Sequence, residues 1–129
     1  LYLNYAEALN EAEGPTAEVY NAVNKIRRRA QLLDLPANLT KDEMRNKIRQ
    51  ERRVELAFEN HRFWDVRRWK IAEIVDNKKV HKITVNADGT YSYPVFQNRV
   101  FDKAKHYLFP IPQSEIDKNR NLVQNPGWN

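Results

Sequence analysis

The chain has 129 residues, of which 41% are hydrophobic. A chain of this size can bury one modest hydrophobic core but is too short for two well-packed ones. We therefore expect a single domain over residues 1–129. The sequence contains no cysteine, which excludes disulfides and thiolate metal sites. The net charge of +5 comes from 22 basic and 17 acidic residues that are interspersed along the chain, a pattern typical of a solvated surface with many ion pairs.

The first part of the chain predicts two antiparallel helices. Apolar residues recur at helical spacing over residues 1–12 and stop before Gly14-Pro15, a strong helix breaker. A second helix over about residues 16–30 carries Val19, Val23 and Ile26 on one stripe, and the short connection indicates a helical hairpin of tetratricopeptide type. Because the apolar pattern is already running at residue 1, without an initiator Met, we expect the sequence to be cut from a longer protein.

Residues 40–75 predict two further helices with a bend between them. Thr40 and Glu43 have the spacing of a capping box, which starts the third helix after a loop containing Pro36. The helical pattern runs to about Phe58, is interrupted near residues 59–61 and resumes through Val75. The helical part of the chain, with about four helices, is therefore expected to span residues 1–76.

Beyond residue 76 the spacing of apolar residues changes from helical to alternating. Strands are expected over residues 83–85 and 91–95, and Asp88-Gly89 between them is a hairpin turn signal. Pro94 restricts the returning strand to an edge position. Residues 77–129 are therefore expected to form a small β-hairpin and an irregular C-terminal arm.

Two carboxylates, Glu51 and Glu55, fall near the middle of the apolar face of the third helix. At 100° per residue, that face is formed by Met44, Ile48, Val54, Leu56 and Phe58. Burial of a lone carboxylate is costly, so each must be protonated or paired, and guanidinium is the best partner. Candidate partners include Arg53 nearby and Arg27 or Arg28 in the preceding helix. We interpret the region as a structural ion-pair network of Glu51, Arg52, Glu55, Glu59, Arg62, Asp65, Arg67 and Arg68.

The alternative interpretation of Glu51 and Glu55 is an acid–base pair for glycoside hydrolysis. A general acid needs a raised pKa, whereas neighbouring arginines push carboxylates toward permanent ionisation. The segment also has no Gly-rich turn or open loop that would form a cleft. We therefore expect no catalytic residue and no enzymatic activity.

Residues 51–69 contain an ordered set of charged and aromatic residues that can be written ERxxELxxExxRxxDxRRW. Three other stretches accompany it, YLNYAEALN at residues 2–10, HYLFPIPQSEI at residues 106–116 and NLVQNPGW at residues 121–128. Together, and in this order, they resemble the C-terminal region of the SusD/RagB family. One departure is Asn60, where glycine is expected in this family, although Asn tolerates the left-handed backbone region better than most residues.

The resemblance implies that residues 1–129 are the C-terminal fragment of a SusD/RagB-like protein with a mainly α fold of tetratricopeptide-like helix pairs. It implies a surface-exposed lipoprotein of a Gram-negative outer membrane, whose lipid anchor lies outside this fragment. The implied partner is a SusC-type TonB-dependent transporter, and the implied role is non-catalytic capture of oligosaccharides or other nutrients. A helical-repeat scaffold that binds proteins but not sugars is the alternative.

The residues expected first to contact sugar are flat aromatic rings, because such rings can stack on the apolar faces of pyranoses. They are Tyr91, Tyr93, Phe96 and Trp128. Packing of each ring onto the helices is the alternative, and packing is the role expected of Trp64 and Trp69. The three histidines are far apart, so no metal or other cofactor is expected. The basic residues at positions 25–29 point in different directions around a helix, so no nucleic-acid partner is expected.

Overall fold

The computed structural model describes residues 1–128 of the chain. It contains two compact units that meet in sequence between Arg62 and Phe63. The sequence led us to expect a single domain in which helices are followed by strands after residue 76. The division lies earlier because Val66 and Ala72 pack with Phe101 in the core of the second unit.

The first unit is built from three helices. They are α1 (Tyr2–Glu13), α2 (Ala17–Arg29) and α3 (Lys41–Glu55). Helix α1 packs against both of the others and ends at Glu13. The cap residue Gly14 follows with a φ of 91°, a conformation that glycine adopts at little cost. The buried apolar core of this unit consists of Ala6, Val19, Ala22, Val23, Leu35, Met44 and Ile48.

The expected capping box at the start of α3 is confirmed. The Thr40 hydroxyl accepts a hydrogen bond from the Glu43 backbone N–H at 3.3 Å, and the Glu43 carboxylate accepts one from the Thr40 backbone N–H at 2.8 Å. This bond from the Thr40 backbone, with a second from its hydroxyl, lowers the pKa of Glu43. The cap thereby fixes the residue at which α3 begins.

The apolar face predicted for α3 is wrong beyond its first two turns. Met44 and Ile48 are buried, but Val54 is 62% exposed and Phe58 is fully exposed. The helix ends at Glu55, and Phe58 follows in a turn with a φ of 66°, so the helical phase assumed from the sequence no longer applies there. The remaining buried positions of α3 are Glu51 and Arg52, so the second half of the face is charged.

The described part of the chain has three further helices, α4 (His61–Arg68), α5 (Ala72–Val75) and α6 (Gln113–Lys118). The expected bend before α4 contains Asn60 with a φ of 63°. A second break, which the sequence pattern did not indicate, follows α4 at Lys70, whose φ is 54°. Around Val66, Ala72 and Phe101, the core of the second unit adds the partly buried Ile71, Val75 and Tyr107.

The second unit also contains a two-stranded antiparallel ribbon in two sections. Its strands are β1 (Lys79–His81), β2 (Thr84–Val85), β3 (Tyr91–Ser92) and β4 (Val95–Asn98). Strand β2 pairs with β3 across a turn that contains Gly89, with a φ of 81°, and β1 pairs with β4 outside them. The predicted hairpin is therefore confirmed, and the outer section extends it.

The chain as described is mainly α-helical, with a small β-ribbon and an irregular C-terminal arm, as the sequence predicted. It has six helices up to residue 128 rather than about four, because α5 and α6 are short segments that the apolar pattern does not reveal. In residues 1–128, the helices lack the combination of length and apolar character that crossing a bilayer requires.

Candidate functional site

Two ion pairs join α2 to α3 in the first unit. Glu51 is only 8% exposed, and its Oε2 accepts a hydrogen bond from Arg27 Nη1 at 2.8 Å. One turn further along α3, Glu55 pairs with Arg29. Both carboxylates of the helix face are therefore engaged by guanidinium groups from α2.

The buried Arg52 joins α3 to α1. Its side chain is 4% exposed, its Nη1 donates to Asn4 Oδ1 at 2.5 Å, and its Nε lies 3.7 Å from Glu7 Oε2. A guanidinium excluded from water in this way requires hydrogen-bond partners, and α1 provides them. The charged half of α3 thus contacts both neighbouring helices.

The remaining residues of the predicted network have other surroundings. In the second unit, Asp65 is buried and accepts from Arg68 across one helical turn, with an Nη2 to Oδ1 distance of 2.8 Å. Arg67 donates to the Phe63 carbonyl oxygen at 3.1 Å. Glu59 is exposed and Arg62 is half-buried.

A groove of about 560 Å³ opens among the three helices of the first unit. Its lining mixes apolar, aromatic and charged side chains, including Tyr2, Lys25, Arg29, Arg52, Glu55 and Leu56. Sequence reasoning missed this groove because its walls come from three helices whose relative rotation the pattern of apolar residues does not specify.

The predicted sugar contact Tyr91 lies in β3 and Tyr93 directly follows that strand, and the two side chains are 61% and 62% exposed. Val85 is the cross-strand partner of Tyr91. The Lys82 backbone N–H donates to the Pro94 carbonyl oxygen, so the same register continues past the ends of β2 and β3 and places Ile83 and Tyr93 on the same face. Ile83 and Val85 are 61% and 65% exposed. One face of the ribbon therefore presents two aromatic rings beside two β-branched side chains.

The other two predicted contacts have different settings. Phe96 is 69% exposed and occupies a bulge in β4, where Val95 pairs with His81 and Gln97 with Val80. Trp128 is half-buried, and its indole N–H donates to the carbonyl oxygens of Lys105 and Leu108 at 3.2 and 3.0 Å. The structure thus leaves Phe96 open beside the ribbon but ties Trp128 into the C-terminal arm.

An exposed aromatic cluster in the second unit was not expected from the sequence. The rings of Phe63 and Trp64 meet edge to face at 5.0 Å, and Phe109 stacks on Phe63 at 6.0 Å. The exposed fractions are 41%, 58% and 57%, respectively. Trp64 is therefore not a core residue, and its ring packs instead against Phe63 and Phe109 in this surface cluster. Trp69 is half-buried, with the Arg68 guanidinium 4.8 Å from its ring centroid.

A cavity of about 460 Å³ adjoins Phe63 within the second unit. Phe63 and Phe101 supply its aromatic lining, and its polar lining is Arg67, Asp76, Gln97, Asn98, Arg99 and His106. The cavity depends on the pairing of β1 with β4, which the sequence did not predict. No spacing in the sequence therefore indicated it.

The comparison with known proteins identifies the class to which this helical and ribbon architecture belongs. The model of the SusD family matches residues 1–128, and the chain belongs to that family. It is 36% identical to SusD-like protein P2 and 30% identical to SusD-like protein P25, both from Formosa agariphila. The matches cover 95% and 100% of this chain but 23% of each relative, so the chain spans about a quarter of their length.

Solved structures give the same result. A SusD-like protein from Bacteroides fragilis is 37% identical and matches with a TM-score of 0.87, covering 98% of this chain and 24% of that protein. A SusD homolog from Bacteroides thetaiotaomicron is 34% identical with a TM-score of 0.73, and the match covers 98% of this chain and 25% of the homolog. These likenesses confirm the predicted family and the predicted tetratricopeptide-like fold class.

Proposed function

We propose that the full-length protein is a non-catalytic surface protein that binds glycans or related nutrients and works with a SusC-type TonB-dependent transporter in oligosaccharide uptake. Membership of the SusD family supports this role. In the same proposal, the protein is held at the outer membrane by a lipid anchor outside this chain. Its partners are then the transporter and an oligosaccharide.

The observation within this chain that carries the proposal is the exposed ribbon face with Tyr91 and Tyr93. An exposed aromatic ring leaves apolar area in contact with water. Stacking of a sugar C–H face on the ring removes that area from water and is therefore favourable. Two rings on one strand face provide two adjacent stacking positions. Phe96, on the neighbouring strand section, is a third candidate contact, and Trp128 contributes through the arm.

A non-catalytic role is supported by the surroundings of the two carboxylates in α3. A general acid or base must reach the atom with which it exchanges a proton. Glu51 is nearly buried and bonded to Arg27, and Glu55 is paired with Arg29. We propose that these groups hold helices together and do not take part in hydrolysis.

A second candidate function is a helical-repeat scaffold that binds another protein. The groove of about 560 Å³ among α1, α2 and α3 favours this view, because grooves between helix pairs commonly receive peptide segments. The two functions differ in what they bind, so one experiment separates them. A scaffold binds transporter-derived peptides and shows no affinity for sugars.

The test is affinity electrophoresis of the full-length protein through gels that contain one polysaccharide each, across a panel. We expect retardation by at least one polysaccharide and no release of reducing sugar during prolonged incubation. Replacing both Tyr91 and Tyr93 by Ala is expected to raise the dissociation constant about tenfold for the pair of rings.

The matched control is the double variant Tyr91→Phe and Tyr93→Phe, which keeps both ring faces and removes only the hydroxyl groups. It should bind almost as the parent does. If no polysaccharide retards the parent protein while a transporter peptide binds it, the scaffold function is correct. Measured glycan turnover would overturn the non-catalytic assignment.

A further inference from the structure

The cavity beside Phe63 places the aromatic ring of that residue next to the Arg67 guanidinium, whose contacts do not neutralise its positive charge. The Arg67 guanidinium carbon lies 3.5 Å from the centroid of the Phe63 ring and 5.4 Å from that of Phe101. Its Nη1 donates to a backbone carbonyl oxygen, and its Nε is buried without a hydrogen-bond partner. These contacts fix the plane of the guanidinium but do not neutralise it.

The cavity as a whole carries positive charge. Arg67 and Arg99 contribute two positive charges, and Asp76 contributes one negative charge. The fourth titratable side chain is His106, whose Nδ1 accepts a hydrogen bond from the Asp102 backbone N–H at 2.9 Å, so its neutral form carries the proton on Nε2. With His106 neutral, the net charge of the lining is +1, which favours an anionic ligand.

The remaining polar groups suit a polyhydroxylated ligand. Gln97 and Asn98 each offer one amide acceptor and two amide donors, and Asp76 can accept from a hydroxyl group. Guanidinium groups donate charge-assisted hydrogen bonds to carboxylate or sulfate oxygens. The volume of about 460 Å³ lies within the range typical of small-molecule sites.

From this combination we propose that the cavity binds one acidic sugar unit of a glycan, with Arg67 and Arg99 on its carboxylate or sulfate group. The exposed part of the Phe63 ring then packs against the apolar face of the sugar, and the two amides bind its hydroxyl groups. This inference rests on the proposed function as a glycan-binding protein and specifies the chemistry of the glycan.

The test compares the full-length protein on polygalacturonate, alginate and chondroitin sulfate with the same protein on neutral galactan and dextran, by affinity electrophoresis. At least one acidic polymer should be bound more tightly than both neutral ones. Arg99→Gln should raise its dissociation constant about tenfold, as loss of a charge-assisted contact does. Arg99→Lys, which keeps the charge, should retain part of the affinity.

Arg120→Gln is the matched control, because it removes the same charge from an exposed position outside the cavity. It should leave binding unchanged. The dissociation constant of Arg67→Gln is measured as well. Its melting temperature is recorded alongside, because Arg67 also contacts two aromatic rings and its loss can affect stability. Equal binding of acidic and neutral polymers, or equal effects of Arg99→Gln and Arg120→Gln, would overturn the acidic-sugar proposal while leaving glycan binding intact.

Competition with inorganic ions separates a sugar site from a site for small anions. Sodium sulfate and sodium chloride are compared at equal ionic strength as competitors of the bound acidic polymer. Equal competition supports the sugar site, because screening alone then explains the loss. Displacement by sulfate at concentrations at which galacturonic acid and a sulfated monosaccharide have no effect would assign the cavity to a free anion and overturn the proposal. Failure to bind any polymer would overturn both this inference and the proposed function.

Discussion

Arg27 on α2 and Glu51 on α3 form an ion pair of 2.8 Å between side chains that are 22% and 10% exposed. Removal of the cation leaves a carboxylate in a place that water barely reaches. We expect Arg27→Ala to lower the free energy of unfolding by about 3 kcal/mol, the lower end of the range for breaking a buried pair, because this pair is not fully enclosed. Urea denaturation followed by circular dichroism measures the change.

The adjacent residue supplies the control for this prediction. Arg28 pairs with Asp34, but these side chains are 63% and 42% exposed. Arg28→Ala should therefore cost less than about 1 kcal/mol. Equal losses for Arg27→Ala and Arg28→Ala would contradict the role assigned to the Arg27–Glu51 pair.

The choice between these two arginines illustrates what the sequence could and could not predict. Both were possible partners for the carboxylates of α3, since both lie in the preceding helix. They differ by one residue, or about 100° of helix rotation, and only the packing of Val19 and Val23 into the core fixes that rotation. The pattern predicted that the carboxylates need cations but not which cation each receives.

The sequence was sufficient to predict features that depend only on residues close together in the chain. Thr40 and Glu43 are three residues apart, and their reciprocal hydrogen bonds fix the start of α3 whatever surrounds them. The cavity with Arg67 and Arg99 is the opposite case. These residues are brought together by the β1–β4 pairing and the core around Phe101, which depend on contacts distant in sequence.

A second prediction concerns the buried Asn24 of α2. Its side-chain Oδ1 accepts the backbone N–H of Leu35 at 2.9 Å, which ties the loop between α2 and α3 to the core. Asn24→Ala leaves that N–H without its partner, and we expect a loss of about 2 kcal/mol in the free energy of unfolding. The exposed Asn21 of the same helix is the control, and Asn21→Ala should change stability by less than about 0.5 kcal/mol. Faster amide exchange at Leu35 in Asn24→Ala alone would support the assigned bond.

A third prediction concerns the pH dependence of the contact between Glu11 and Arg45. Hydrogen bonds from Arg45, with Nε and Nη2 at 2.5 and 2.7 Å from the carboxylate oxygens, lower the pKa of Glu11 from its ordinary value of 4.5. Near that pH the unfolded state binds more protons than the folded state. The stabilisation from this pair is therefore present above pH 4.5 and is lost as the pH falls through the lowered pKa.

The measurement is the urea midpoint of the parent protein and of Glu11→Gln at pH 7 and at acid pH. The variant should be less stable than the parent at pH 7, and the difference should shrink as Glu11 becomes protonated. Glu13→Gln, an exposed substitution on the same helix, should show a small difference at either pH. A difference for Glu11→Gln that does not depend on pH would show that lost packing, rather than charge, explains its effect.

The last prediction concerns Asn60, which occupies the bend where the SusD family pattern led us to expect glycine. Its φ of 63° is the left-handed conformation, which most residues adopt only with strain. Asn60→Ala should therefore destabilise the bend by about 1 kcal/mol, whereas Asn60→Gly should stay within about 0.5 kcal/mol of the parent. Thermal unfolding of both variants tests this difference. Because Glu59 next to it is also exposed, Glu59→Ala is a suitable control with little expected effect. A stable Asn60→Ala variant would mean that the chain can turn into α4 without the left-handed residue.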